Sequence, residues 1–452
     1  MAGLPPALRS RYGPALERVR GAARAGEISA GWLDAERSDF VRFNHGRVRQ
    51  CGTVERARLE LRLILGQRQA SHTLTLAGEA RADALAVDAG FERLRAELAR
   101  ADQDPHLSFA PDASASRVVR AGAPATIAQV CETVTSAAAG SDLVGFYAGG
   151  PHACALASSL GHEHWHETRD WVLDYSIHVR APDAGSDRAL KATIGAPRWS
   201  GALVRDSIAD SVARAAVLAK PARRLDPGRY RCWLAPSAVH DLLAMLGWGG
   251  FSARAHRAGH SPLARLRAGV ARFDARVELA EDLEALAVPR FQADGFVRPG
   301  RLELVRAGRF GDWLASPRSA REFGVQCNFA GGAESPEALT MAPGELDERN
   351  ALRALDTGIA ISNLWYLNFS DRETCRITGM TRFGTVWVEG GTPVAPLQAM
   401  RFDDSLFRVL GEALEAIGAS AARIADCDTY ERRSFAASRV PGILVRGLDF
   451  TL

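Results

Sequence analysis

The sequence is short of the features that would narrow its function quickly. Its seven cysteines, Cys51, Cys131, Cys154, Cys232, Cys327, Cys375 and Cys427, are scattered over 452 residues with no C-x-x-C pair. Such an odd, dispersed set argues against a disulfide framework and for reduced thiols, hence a cytoplasmic setting. No apolar run approaches the roughly 20 residues that a membrane-spanning helix needs. The opening "MAGLPPALRSRYG" has no apolar segment behind its charges and does not read as a secretory leader. Charge of one sign is scarce as well: 56 Lys and Arg against 53 Asp and Glu leave a net charge of +3. That gives no electrostatic case for nucleic acid, and the arginines are spread along the whole chain. What remains is the composition of a soluble globular protein with room for two or three domains.

Periodicity supplies the outline. After a polar N-terminal helix, "DFVRFNHG", "RARLELRLILG" and "QASHTLTL" alternate apolar and polar residues over 39–76, a meander of strands with Gly46, Gly52 and Gly66 near the turns. "RADALAVDAGFERLRAELARA" carries Ala, Leu, Val and Phe at helical spacing and predicts an amphipathic helix. "PDASASRVVRAGAPA" reads as a loop and "TIAQVCETVTSAAAG" as a second helix. From residue 143 strands return in "LVGFYAGG" and "HACALASSLG", an echo of the first meander that hints at internal duplication. "SIADSVARAAVLA" predicts a helix closed by Pro221, and "SAVHDLLAMLGW" a short one with Ser237 placed to cap it. Beyond it short strands and Gly-rich turns dominate, apart from a helix expected at "SLFRVLGEALEAIG". The fold class is therefore α+β. A mixed N-terminal domain of antiparallel strand meanders with helices spans 1–225, and a strand-rich C-terminal domain spans 226–452.

One stretch spells a metal motif. In "LGHEHWHETRDW", His162, Glu163 and His166 form H-E-x-x-H. On a helix, residues four apart share a face, so both imidazoles can hold one zinc ion while the Glu activates its water. The residues that follow alternate with period two from Trp165 through Trp171, Leu173, Tyr175, Ile177 and Val179, which is a strand. On a strand His162 and His166 stand roughly 13 Å apart, too far to share zinc. The preferred reading is a solvated strand end. A strand chelate built on His162 and His164, and a stand-alone zinc hydrolase using His162, Glu163 and His166, remain as alternatives.

Other chemistry is thinner. "GGPHACALASSLG" lacks the order of a dinucleotide loop and the Lys of a phosphate loop, so a turn between strands is expected there. Ser158 and Ser159 do not sit in a G-x-S-x-G elbow.

The C-terminal half carries a resemblance. "GIAISNLWYLNFSDRETCRITGMTRFGTVWVEGGTPVAPLQAMRFDDSLFRVL", with its "TGMTR-x-G" string, acidic-Gly hairpin and "R-F" pair, resembles the TldD/PmbA family, also called modulators of DNA gyrase. "LDPGRYRCWLAPSAVHDLL", "ARFDARVELAEDLEALAVPRFQADGF" and "LVRAGRFGDWLASPRSAREFG" resemble further stretches of it in order. The resemblance implies paired subunits. A TldD-like chain carries a zinc-binding H-E-x-x-x-H helix and a late cysteine ligand, and a TldE-like (PmbA-like) chain lacks them. The corresponding helix here reads His240-Asp241-x-x-x-Met245, and Cys427 lacks the Gly-rich surroundings of the metal-bearing type. An Asp, a Met and an unplaced thiol do not replace imidazoles and a thiolate. His240 is then expected on the helix surface.

These residues imply a TldE-like subunit of a heteromeric zinc metalloprotease, with no catalytic residue and no metal of its own. The zinc would come with a TldD-like partner, and the substrate would be an unfolded or extended peptide. A homodimer is an option when the chain is alone, and neither nucleic acid nor membrane is an expected partner. Asn363, Tyr366 and Arg382, inside the strongest family stretch, are the candidate peptide-binding residues, since aromatic and Arg side chains beside a strand edge can grip an added strand. Their plainer reading is core packing for Trp365 and Tyr366 and a structural ion pair for Arg382. A peptide-maturation or peptide-binding factor that has left proteolysis is the further alternative.

Overall fold

The computed structural model describes residues 8–180 and 188–451. The first seven residues of the segment tested above for a leader lie outside the described residues. Helix α1 (Leu8–Arg20) leads into three strands, β1 (Glu27–Asn44), β2 (Arg47–Leu65) and β3 (Arg68–Thr75), and helix α2 (Ala80–Leu98) closes the group. A short strand β4 (Ala115–Arg120) follows. The helix–three strands–helix order then recurs as α3 (Ile127–Ala137), β5 (Asp142–Ser158), β6 (Glu163–Val179), β7 (Arg188–Ala196) and α4 (Gly201–Leu218).

The six long strands pair antiparallel in the order β3–β2–β1–β5–β6–β7, and β4 lies parallel to the first part of β6. Period-two burial explains the two faces. Leu59, Leu61 and Leu63 of β2 pack with Leu33 against Leu16 and Val19 of α1 and Val87, Phe91 and Leu94 of α2. The second group repeats this with Trp171, Leu173 and Tyr175 of β6 under Val130 and Val134 of α3 and Val204 and Ile208 of α4. Thr126 and Gln129 start α3 with a reciprocal capping box.

In the C-terminal half, β8 (Gly228–Leu234) lies between Gly358–Ile361, parallel to it, and Ala437–Phe450, antiparallel. Helix α5 (Pro236–Ala244) leaves the end of β8 and buries Val239, Leu242 and Leu243 against Ile361, Val440 and Ile443. A hairpin of Asn363–Asp371 and Arg376–Phe383 follows, and Phe383 pairs with Ala189 of β7, which joins the sheets of the two halves. The molecule is α+β, as its patterning predicts.

Four local expectations are corrected. The meander begins at Glu27, well before residue 39. The expected loop at "PDASASRVVR" contains β4, a strand exposed along its length whose pairing with β6 alternation alone does not betray. "GGP" is no turn but the middle of β5: a side chain at Gly150 would run into the carbonyl oxygen of Arg37, so glycine lets β1 and β5 close up there. The helix expected over 405–418 is a single turn, Leu406–Val409, followed by the strand Leu414–Ala425. Pairing of that strand with Ala437–Phe450 outweighs the helical propensity of its Leu, Glu and Ala residues.

Candidate functional site

His162, His164 and His166 follow strand alternation and share one face of the sheet, as expected, but that face is not solvated. The three residues are 0, 2 and 3 % exposed. Phe109 meets the His162 ring edge-on at 5.4 Å, and the C-terminal half covers the other two. The His164 ring stacks on Phe291 with centroids 4.9 Å apart, and His166 meets the edge of Phe435 at 5.1 Å. The solvated-strand reading is therefore wrong, because its cover comes from a distant part of the chain.

Both ring nitrogens of His164 are engaged, by Ser114 Oγ at 2.9 Å and Ser116 Oγ at 2.8 Å. His162 Nδ1 lies 2.6 Å from Ser158 Oγ. Glu163 faces the other way and pairs with Arg9 and Arg20 on α1. The motif thus places its carboxylate and its imidazoles on opposite sides of a strand. Burial holds the imidazoles neutral: His164 and His166 are pushed down to about 4, and His162 is lowered as well.

Beside them a clasp ties the halves together. Phe435 also stacks on the buried His152 at 4.3 Å, and His152 Nε2 lies 3.3 Å from Asp170 Oδ1. Arg433 reaches down to Asp170 and donates to the carbonyl of Gly150 at 3.0 Å, while its backbone N–H donates to Glu36 at 3.2 Å. Its neighbours continue the pattern, Arg432 to Asp34 and Glu431 to Arg58. Burial pushes the Asp170 carboxyl up, but His152 and Arg433 outweigh it and hold it well below the usual carboxylate range.

Helix α5 forms the second histidine region. Its N-cap is Ala235 with Pro236 in the first turn, so Ser237 does not cap it. His240 is half-buried rather than on the surface, with Nδ1 2.7 Å from Ser438 Oγ on the last strand. The carboxylate of Asp241 accepts from the backbone N–H of Leu364 at 2.8 Å. Burial pushes that carboxyl up to about 6, against the pull of this bond and of Lys191. Met245 is packed into the core. Cys427 and His240 feel the same two charges, Asp426 and Lys191, and burial pushes the Cys427 thiol up to about 11.

A zinc ion does not fit this donor set. Met245 is sequestered in the core, the Asp241 carboxylate is bonded to Leu364 N–H, and one nitrogen of His240 already faces Ser438. Among the described residues no three His, Cys, Asp or Glu side chains form a metal-holding group. Sequence reasoning did not single out Lys191, whose Nζ lies 3.5 Å from Asp174. Composition held a signal: of 56 basic residues only Lys191 and Lys220 are lysines.

Asn363, Tyr366 and Arg382 lie on one hairpin. Tyr366 is 80 % exposed at φ 54°, within the irregularity where pairing jumps between Trp365 and Asn368. Trp365 is 42 % exposed, and the Arg382 guanidinium sits over its ring at 5.0 Å. Core packing for Trp365 and Tyr366 is thus corrected, and Arg382 stacks on an indole and has no carboxylate partner among the described residues. Asn363 opposes Phe383 at the start of the same hairpin.

The fold is shared with solved structures, among them the following three. One is a candidate modulator of a DNA gyrase from Thermotoga maritima, at TM-score 0.76 and 15% identity over 97% of this chain and 100% of that one. Another is TldE from Thermococcus kodakarensis, at TM-score 0.79 and 11% identity over 97% and 100%. A third, a candidate modulator of DNA gyrase from Bacteroides thetaiotaomicron, has TM-score 0.74 and 15% identity over 98% of each chain. No curated protein matches the sequence. Residues 227–452 match the PmbA/TldA metallopeptidase C-terminal domain, half of the chain, and with it the chain belongs to the PmbA/TldD metallopeptidase family.

Proposed function

We propose that this chain is the TldE-like, non-catalytic subunit of a zinc peptidase. A TldD-like partner supplies the zinc and its catalytic Glu, and the complex acts on unfolded or extended peptides in the cytoplasm. The observation that carries this reading is helix α5. Where the resemblance puts the family's metal ligands, this chain has His240, Asp241 and Met245, with Asp241 bound to Leu364 N–H and Met245 in the core. A water made nucleophilic by a metal needs an open, metal-binding donor set, and the partners of Asp241 and the burial of Met245 argue against one on this helix. The exposed Trp365–Arg382 stack, with Tyr366 and Asn363 on the same hairpin, supplies the peptide grip. The division into 1–225 and 226–452 is part of the proposal, as is a homodimer in the partner's absence.

Metal analysis and reconstitution test it together. The purified chain should hold far less than one zinc per molecule and leave unstructured peptides intact. Mixed with a TldD-like partner, it should support chelator-sensitive cleavage. Stoichiometric zinc lost in a His162→Ala, His166→Ala double mutant would sink the assignment and revive the motif on β6.

A further inference from the structure

A cleft of about 880 Å³ opens at the turn end of the hairpin that carries Trp365, Tyr366 and Arg382, where Thr374 between Asp371 and Arg376 lines it. Its size falls in the range of about 300–1,000 Å³ typical of ligand sites. Four arginines line it, Arg265, Arg272, Arg309 and Arg408. Arg408 is already bound to Asp404. The side chains of the other three have no hydrogen-bond or ion-pair partner among the described residues, and each keeps accessible surface. Two carboxylates also line the cleft. Both oxygens of Asp274 are taken by Arg276, at 2.8 and 3.0 Å. Glu412 is exposed and makes no ion pair among the described residues. Three free guanidiniums thus stand against one free carboxylate. Apolar surface comes from Ala275, Ala307 and Phe407.

Guanidiniums gathered without partners repel one another, and an anion that enters gains charge-assisted, bidentate hydrogen bonds from their planar forks. Carboxylates match that fork. The apolar surface suits the aliphatic stems of acidic side chains better than a chain of bare phosphates. The hairpin adds a second constraint. Trp365 and Asp371 are six strand positions apart, about 20 Å at roughly 3.3 Å per residue. An extended peptide held at the Trp365–Arg382 stack therefore reaches the cleft about seven residues further along.

We propose that this cleft binds an acidic segment of the extended peptide, its carboxylates on Arg265, Arg272 and Arg309. This rests on the peptide-handling reading above and adds to it a charge preference and the place where that charge is read.

Titration calorimetry on the full chain at physiological ionic strength tests the idea. The probes are a blocked peptide of eight alternating Ala and Ser residues followed by Glu-Asp-Glu-Asp, its Gln-Asn-Gln-Asn counterpart, and tripolyphosphate. Each is titrated into the wild type, an Arg272→Gln, Arg309→Gln double variant, and an Arg81→Gln, Arg100→Gln control that removes the same charge from exposed positions in and just after α2. The acidic peptide should bind saturably, and its neutral counterpart at least tenfold more weakly. The cleft variant should weaken the acidic peptide at least tenfold and leave the neutral one unchanged, while the control leaves both unchanged. Ala275→Glu, which adds a carboxylate to the cleft and removes no arginine, should weaken the acidic peptide as well, with melting temperatures reporting that each variant is folded. Equal binding of the two peptides, equal losses in the cleft and control variants, or tripolyphosphate binding more tightly than the acidic peptide would overturn the assignment. Equal binding of the two peptides leaves peptide handling standing. If neither peptide binds, the cleft assignment falls, and peptide handling falls with it only if adding the chain also does nothing for cleavage by a TldD-like partner.

Discussion

The chain carries two histidine motifs, and comparing them shows how little spelling decides. H-E-x-x-H at 162–166 has the letters of a zinc site but runs into β6, where alternation sends Glu163 to Arg9 and Arg20, and His164 and His166 under Phe291 and Phe435. H-D-x-x-x-M at 240–245 has lost those letters but lies on a helix, at the place where the resemblance expects metal chemistry. Secondary structure, not composition, determines which side chains can meet. The strand histidines became packing between the halves, while the helix kept a buried carboxylate and imidazole beside Lys191.

Acid separates the two regions, because their shifts have opposite sign. His164 and His166 titrate near 4 in the fold against about 6.5 when unfolded, so the unfolded chain binds more protons between those values. Their contribution is complete above about pH 6.5 and is lost as pH falls toward 4. At about 1.4 kcal/mol per unit this is on the order of 3 kcal/mol for each ring. Denaturant midpoints measured from pH 7.5 to 4 should fall steeply, and a His164→Gln, His166→Gln double variant should flatten the profile. An unchanged slope in that variant would mean the rings do not govern it.

The clasp beside these rings gives the next effect. Arg433→Ala leaves Asp170 buried without its main cation, a change worth about 3–5 kcal/mol for a buried pair. Limited proteolysis should then open the segment 426–436 between the last two strands. A loss below about 1 kcal/mol, with that segment still protected, would show that the halves are held elsewhere.

On helix α5 the sign reverses. Asp241 is raised to about 6 from an ordinary 3.8, so its contribution is complete below about pH 3.8 and is lost as pH rises through 6. Asp241→Asn keeps an acceptor for Leu364 N–H and removes the buried charge. It should stabilise the protein by about 1–3 kcal/mol at pH 8 and by little at pH 4. Destabilisation at both pH values would mean that the carboxylate has a partner that matters more than its burial.

What the sequence made legible follows the same logic. Strands with one buried face and α2 were readable, because periods of 2 and 3.6 are local. The strand Leu414–Ala425 was not, since its Leu, Glu and Ala residues favour helix and only pairing with Ala437–Phe450 overrides them. Nor was the burial of the β6 histidines, because Phe291 and Phe435 arrive from far along the chain. At the candidate site His240, Asp241, Met245 and Cys427 could be named from the resemblance. Lys191, Asp174 and Ser438 could not, since each comes from a different strand and no spacing links them.

The smallest expected effect on stability belongs to Arg382, and it sharpens the comparison most. Unlike the imidazoles of β6, its guanidinium lies over a half-exposed indole, where a cation–π contact contributes about 0.5–1 kcal/mol. Arg382→Ala should therefore barely move the melting temperature. If the hairpin grips peptide, the same variant loses a charge-assisted contact of roughly 1–3 kcal/mol to the substrate. In a complex reconstituted with a TldD-like partner, that raises the Michaelis constant about five- to 150-fold and leaves turnover and zinc content close to wild type. A lower melting temperature with an unchanged Michaelis constant gives the opposite answer: the stack holds the hairpin, and the peptide is bound elsewhere. Trp365→Ala separates the arms further, because it removes the platform while leaving the guanidinium. Should the peptide rely on the charge alone, Trp365→Ala will raise the Michaelis constant less than Arg382→Ala does. Should it rely on the stacked pair, the two variants will match.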